Sequence, residues 1–259
     1  MDLGIRDRKA IVCASSRGLG KACAAALARE GSIVFINGLD PDRLAHSAAE
    51  ISARAGRPVK PVRADINTDE GRAKLIAACP DADILVNNNA GPPPGNFEDW
   101  SRQQWTDALE SNMLAAIFMI KGLLPGMRKR RFGRIVNITS AMVKSPRPHM
   151  GLSTAARTGL TAFCKALSLD VAKDNVTINN LLPERIDTDR QRFMAERMMA
   201  REQITREEAR ARMAASIAAK RLGTAEEFGD ACAYLCSAQA GFISGQNLQL
   251  DGGSYPGLI

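Results

Sequence analysis

The sequence predicts an α/β fold in which a parallel sheet is covered by helices on both faces. Three observations predict it. Short apolar runs recur along the chain: KAIVCA at 9–14, SIVFI at 32–36, DILVN at 83–87 and RIVNI at 134–138. Longer, Ala-rich helical patterns fill the intervals. A glycine-bearing loop joins the first run to the first helical pattern. Strands that are apolar on both faces belong to sheets buried on both sides, and helical crossovers make such sheets parallel.

Each element follows in order. Lys9 to Ala14 reads as a strand, and Leu19 to Glu30 as a helix stopped by Gly31. Ser32 to Ile36 is the second strand, Leu44 to Ala55 the second helix, and Pro58 to Arg63 the third strand. Asp83 to Asn87 and Arg134 to Ile138 are the fourth and fifth strands, with a helix over Ser101 to Lys129 between them. Ser153 to Lys173 is helical, and Val176 to Leu181 and Leu248 to Leu250 complete the strands. No repeat or linker interrupts this order, so residues 1–259 form one expected domain. The highly charged segment Asp189 to Arg221, with Met194, Met198, Met199 and Met213, breaks the alternation. It reads as a helical substrate lid over about 189–221, because ligands bind outside the carboxyl ends of parallel strands. A surface helix pair is the alternative.

Composition narrows the function. Of 259 residues, 45% are hydrophobic and 24% charged, which excludes a disordered chain. The net charge of +7 suits anionic ligands. Its densest cluster, Arg128, Lys129, Arg130, Arg131 and Arg134, has no interleaved aromatics and reads as a solvated helix end, so no nucleic-acid partner is expected. The six cysteines lie scattered in apolar segments, without CxxC spacing, and read as reduced core thiols. With only two His, no metal site is expected. No apolar run reaches membrane-spanning length, and Met1 to Lys9 lacks an apolar signal core. The expected setting is the cytoplasm, without a membrane partner.

The loop Ala14-Ser15-Ser16-Arg17-Gly18-Leu19-Gly20 carries the first chemical signal. Its glycines let the backbone turn tightly and approach a pyrophosphate, and the following helix start offers free N–H groups. This loop resembles the TGxxxGxG motif of the short-chain dehydrogenase/reductase superfamily. Asn88-Asn89-Ala90-Gly91 resembles that family's NNAG, Asn112 its helix Asn, and Arg134 to Ser140 (RIVNITS) the strand ending in the active-site Ser. Pro183-Glu184-Arg185-Ile186-Asp187-Thr188 resembles PGxIxT, and GQNLQLDGG the family ending. The resemblance runs in order along nearly the whole chain. It implies a Rossmann-type doubly wound domain with a seven-stranded parallel sheet, and assembly as a homotetramer. Helices 101–129 and 153–173 would form the contact, the second through the small residues Ala155, Ala156, Gly159 and Ala162.

The chain departs from the family pattern where chemistry is at stake. Cys13 and Ala14 stand for the Thr and first Gly of the loop, and Glu184 for the Gly of PGxIxT. The Tyr and Lys of YxxxK fall on Ser153 and Arg157, and the only tyrosines are Tyr234 and Tyr255. The combination of NNAGPPPG at 88–95, SxxxR at Ser153 and Arg157, and LLPxRIDTDR at 181–190 resembles a divergent subgroup described as β-ketoacyl-carrier-protein-reductase-like. Carried over position by position, the resemblance implies Ser140, Ser153, Arg157 and Asn112 as catalytic candidates. The cofactor contacts it implies are Ala14 to Gly20, Gly38, Asp65, Ile66, Asn88, Ala90, Gly91, Arg157, Pro183, Ile186 and Thr188. Asp65 has a second reading, as part of a helix N-cap region with Asn67-Thr68.

Ser153 and Arg157 are four apart, so they share a helix face. A Ser hydroxyl is a weak proton donor, and an arginine above about pKa 12 holds its proton. The pair supports binding and oxyanion stabilisation better than proton transfer. His149 is a second candidate donor, with a rim or capping role as the competing reading, and Tyr255 reads as tail packing. Ala14 demands attention because a tight turn asks for a backbone angle that Ala disfavours. The second strand ends in Asn37-Gly38-Leu39 without an acid, and Arg17 sits in the loop, which favours NADP while leaving NAD open. The leading function is an NAD(P)-dependent oxidoreductase interconverting a small-molecule ketone and a secondary alcohol. A non-catalytic nucleotide-binding scaffold and a lyase or isomerase are the alternatives.

Overall fold

The computed structural model describes residues 1–258. In chain order the elements are β1 (Lys9–Val12), α1 (Gly18–Arg29), β2 (Ile33–Gly38), α2 (Pro41–Ala55), β3 (Lys60–Arg63), α3 (Asp69–Ala78) and β4 (Ile84–Asn87). There follow α4 (Arg102–Leu109), α5 (Ala115–Arg130), β5 (Gly133–Ile138), α6 (Gly151–Val171), β6 (Val176–Pro183), α7 (Asp189–Glu202), α8 (Arg206–Ala215), α9 (Ala225–Leu235) and β7 (Asn247–Leu250). The strands form one seven-stranded sheet in the order β3-β2-β1-β4-β5-β6-β7. Every pairing is parallel, as the sequence predicts.

Strand alternation builds two cores. Ala10, Val12, Ile84 and Val86 point toward α1, α2 and α9 with Leu27 and Phe228. Ile11, Leu85 and Ile135 point the other way, toward Met119, Leu123 and Leu160 of α5 and α6. The strand order reverses between β1 and β4, which opens the crevice where such folds bind ligands. A polar line also crosses the sheet. Register sets Asn87, Asn137, Asn180 and Asn247 side by side on β4 to β7. Each Nδ2 donates to the next Oδ1, at 2.9, 2.9 and 2.8 Å.

Several expectations need correction. β1 ends at Val12, because Ala14 already turns with φ at 43°. The helix expected over 101–129 contains a π turn at Glu110–Leu114, which carries Asn112. By length and composition, the stretch Arg102–Arg130 could span a bilayer. Its Met119, Ile120, Leu123 and Met127 are instead buried, and we read it as a core helix. The basic run does close α5 as a solvated end, with Lys129, Arg130 and Arg131 exposed, but Arg134 departs from that reading. Arg134 is 1% exposed and donates to the carbonyls of Gly133, Asn175 and Ser237 at 2.8, 3.0 and 2.9 Å. Arg128 pairs with Asp170 and Asp174, Arg130 with Asp83, and Arg131 with Asp174. All six cysteines are buried and free. On α6, Ala156 is buried and Gly159 packs toward Met113 of its own chain, so these two do not face outward. Ala155, Ala162, Phe163 and Leu169 do. The segment after β6, expected to be helical, forms α7 and α8, joined by Ala195, Ala209 and Met213.

Candidate active site

The expected cofactor residues gather along one edge of the sheet, at the carboxyl ends of β1 to β4 and β6. Arg17 opens α1 without a side-chain cap, so the N–H groups of the first turn face the crevice. Gly20 is obligatory there. A Cβ would lie 2.6 Å from the Ala14 carbonyl oxygen and 2.8 Å from Asn88 Nδ2. Asn88 Nδ2 itself donates to that carbonyl at 3.0 Å, which ties the loop to β4. Ser15 is buried and used internally: its hydroxyl donates to Val12 O at 2.6 Å and accepts from Asn37 N at 2.9 Å. Ser16 lies against Gly38, where a Cβ would sit 3.0 Å from its Oγ.

Two features bear on the adenosine end. Asp40, the first acid after β2, caps α2 by accepting from Asp42 N and Arg43 N at 3.1 and 3.0 Å. Its carboxyl is thereby held below its ordinary range, chiefly by the Arg43 N–H. Arg63, which the sequence reading overlooked, is paired in register with Gly38 and donates to Leu39 O at 3.2 Å. Its cation therefore lies beside the end of β2. Only strand register could have revealed it. Asp65 Oδ1 accepts from Asn67 N at 3.0 Å, and Thr68 caps α3, so the capping reading describes its own bonds.

The reacting end forms around β5. Arg157 is buried, and its guanidinium is largely committed. Nε donates to Ser153 Oγ at 3.2 Å, and Nη1 to Ile138 O and Thr139 O at 2.6 and 3.0 Å. Burial, with help from the nearby Arg190 charge, pushes its pKa down to about 10, below the value the sequence suggests. The group stays cationic at neutral pH. Ser140 Oγ accepts from Met142 N at 3.2 Å, capping the turn after β5 and making no bond to Ser153 or Arg157. Asn112 donates to Ala90 O at 3.3 Å and to Ser111 Oγ at 2.7 Å. Its Oδ1 is buried without a partner, as is Asn87 Oδ1. Both residues and Arg157 line one small cavity beneath the NNAG turn. The cavity holds about 20 Å³, room for a single water that would donate to the unpaired acceptors.

The mouth is framed by the β5–α6 loop and the Pro183–Thr188 turn. Glu184 is paired with Arg147 and Arg185, both at 3.5 Å. Arg185 takes the left-handed conformation, with φ at 56°. Ile186 is bridged to Gly223, and Thr188 precedes α7 with its hydroxyl on Ile186 O at 3.3 Å. His149 is exposed on the rim. Tyr255 packs within its own chain, with Lys144 Nζ 5.5 Å from its ring centre.

Fold and site together define a short-chain dehydrogenase/reductase. The sequence model of the family described as enoyl-(acyl carrier protein) reductase matches residues 13–255, and the chain belongs to this family. The chain is 32% identical to the NADPH-dependent reductase BacG of Bacillus subtilis, over 97% of this chain and 99% of that one. It is 30% identical to the 3-oxoacyl-[acyl-carrier-protein] reductase of Haemophilus influenzae, again over 97% and 99%. Among solved structures it resembles L-sorbose reductase from Gluconobacter frateurii in complex with NADPH and L-sorbose. The TM-score there is 0.94 at 28% identity, and each chain is covered in full.

Proposed function

We propose that this protein is an NADPH-dependent reductase that converts a ketone to a secondary alcohol, 3-oxoacyl-reductase-like, at an active site without the usual Tyr and Lys. The carrying observation is the placement of the open α1 start and the Ser153–Arg157 pair along one sheet edge. The similarity to NADPH-dependent reductases supports the same reading.

The bound dinucleotide would supply the hydride. The α1 N–H groups would hold its pyrophosphate, with Gly20 allowing close approach. Arg17 and Arg63 would take the adenosine 2′-phosphate, and Arg157 the ribose next to the reacting ring. Ser153 Oγ accepts from Arg157, so its own proton is free to point at a substrate oxygen. The Arg157 cation stabilises negative charge developing on that oxygen. An arginine with a pKa near 10 does not relay a proton at neutral pH. The proton therefore enters from water or from His149 on the rim. The exposed Phe118, Phe163 and Leu169, with Leu248 at the sheet edge, fit assembly into a homotetramer. Six free buried thiols accord with a reducing, cytoplasmic setting.

Calorimetric titration with NADPH and NADH tests the proposal. NADPH is expected to bind at least as tightly as NADH, and Arg17→Glu with Arg63→Glu to reverse the order. No binding of either nucleotide at millimolar concentration overturns the reductase reading.

A further inference from the structure

Two guanidinium groups flank consecutive residues, Gly91 at the end of the NNAG turn and Pro92 after it. Arg157 Nη2 lies 3.4 Å from where a Cβ of Gly91 would be. Arg190 Nη2, from the first turn of α7, donates to the carbonyl of the next residue, Pro92, at 3.2 Å. Among the described residues, neither arginine forms an ion pair. The acids near them are engaged elsewhere: Asp187 with Arg210, Asp189 with Arg192, and Glu184 with Arg147 and Arg185. Burial lowers the pKa of both guanidiniums, and the charge of Arg190 lowers that of Arg157 further.

A buried cation with a second, half-buried cation beside it and no counter-ion is unfavourable, and such arrangements concentrate where a ligand brings the missing charge. The location says which ligand. The cradle for a pyrophosphate is at Gly18–Gly20, whereas Arg157 is bonded to Ser153 at the reacting end. An anion between Arg157 and Arg190 therefore belongs to the substrate, close to its reacting carbonyl. A planar fork of N–H donors matches a carboxylate.

We propose that Arg190, together with Arg157, forms an anion subsite that selects an oxo acid, with a free carboxylate near its carbonyl, over the corresponding ester or thioester. The assignment of the carbonyl rests on the reductase reading, but the test reads binding alone. The protein is saturated with NADP⁺, which prevents reduction, and titrated with 3-oxohexanoate, its methyl ester and its N-acetylcysteamine thioester. The same titrations without nucleotide keep the readout if the nucleotide does not bind, so the two readings fail separately. The acid is expected to bind at least about 10-fold tighter than either neutral compound. Arg190→Gln should weaken the acid by about 10–100-fold while moving the ester less than about 2-fold. Arg190→Lys, which keeps the charge and loses the fork, should fall between. Circular dichroism confirms that each variant is folded. Equal affinity for acid and ester, or no binding of the acid at millimolar concentration, overturns the proposal. So does an Arg190→Gln variant that loses NADP⁺ affinity and keeps acid affinity, since the pair would then serve a cofactor phosphate.

Discussion

Arg157 Nε donates to Ser153 Oγ at 3.2 Å, one helical turn away on α6. The replacements of Lys and Tyr are thus a bonded unit. Arg157 is also anchored to β5 through the Ile138 and Thr139 carbonyls. If the pocket still presents a carbonyl to the hydride, its deficit is a proton donor. Ser153→Tyr with Arg157→Lys should then raise ketone reduction by about 10²–10⁴-fold, the usual contribution of a positioned acid. The full gain is expected only from both changes, because Arg157, itself a cation, replaces only part of the Lys effect on the Tyr pKa. The double variant should lose about 1–3 kcal/mol of stability through overpacking at a site that is 4% exposed. NADPH oxidation over a panel of ketones and β-ketoacyl thioesters checks this, once folding and cofactor binding are confirmed. No gain on any substrate would favour the scaffold or lyase alternatives.

Ala14 holds φ at 43°, where its Cβ is unwelcome. Left-handed backbone costs a non-glycine residue about 1–2 kcal/mol, and glycine returns part of that through greater freedom in the unfolded chain. Ala14→Gly should therefore stabilise the protein by about 0.5–1 kcal/mol in urea denaturation. A loss of stability would mean that the Ala methyl makes a packing contact worth more than the strain.

The sheet and the turn into α1 are legible in the sequence because they rest on local signals. Apolar runs such as DILVN mark strands, and Gly18 and Gly20 mark the turn. The π turn at Asn112 left no such signal, since Glu110–Leu114 reads as ordinary helix and the bulge is set by packing. Arg134 looked like one more surface charge, although its partners Asn175 and Ser237 are distant in sequence. Arg63 and Arg190 were missed for the same reason. Their neighbours Leu39 and Pro92 are brought near only by strand register and by the turn into α7.

Glu227 ties the start of α9 to the preceding loop. It accepts from Arg221 at 2.6 and 2.8 Å and from Thr224 N at 2.8 Å. These bonds, with Arg221 the largest cause, lower its pKa to about 2 from an ordinary 4.5. The folded state thus favours the ionised carboxylate. Its stabilisation is complete above about pH 4.5 and is lost as the pH falls toward 2. Glu227→Gln should be less stable than the unaltered protein at pH 6, and the gap should narrow at pH 3. Urea midpoints at the two pH values measure it, and a gap that stays constant would show that ionisation of Glu227 is not what stabilises the loop.

The asparagine line across β4 to β7 predicts an uneven response to truncation. Asn137 is fully buried and sits between two partners, accepting from Asn87 and donating to Asn180. Asn137→Ala removes these two bonds, and the one its Nδ2 donates to Cys164 Sγ at 3.3 Å, and leaves Asn87 Nδ2 and Asn180 Oδ1 without partners inside the sheet. Each orphaned group costs about 1–3 kcal/mol, so a loss of about 3–5 kcal/mol is expected. Asn247 stands at the half-buried edge and accepts a single bond from Asn180, so Asn247→Ala should cost about 1 kcal/mol. The two sites are not independent, because bonds in a chain polarise one another and share Asn180. The double variant Asn137→Ala/Asn247→Ala should therefore lose less than the two single losses added together, by about 0.5 kcal/mol or more. Urea denaturation of the three variants closes the cycle. Equal losses at the two positions, or strict additivity, would mean that the amides act as separate pairs and that the line is no cooperative unit.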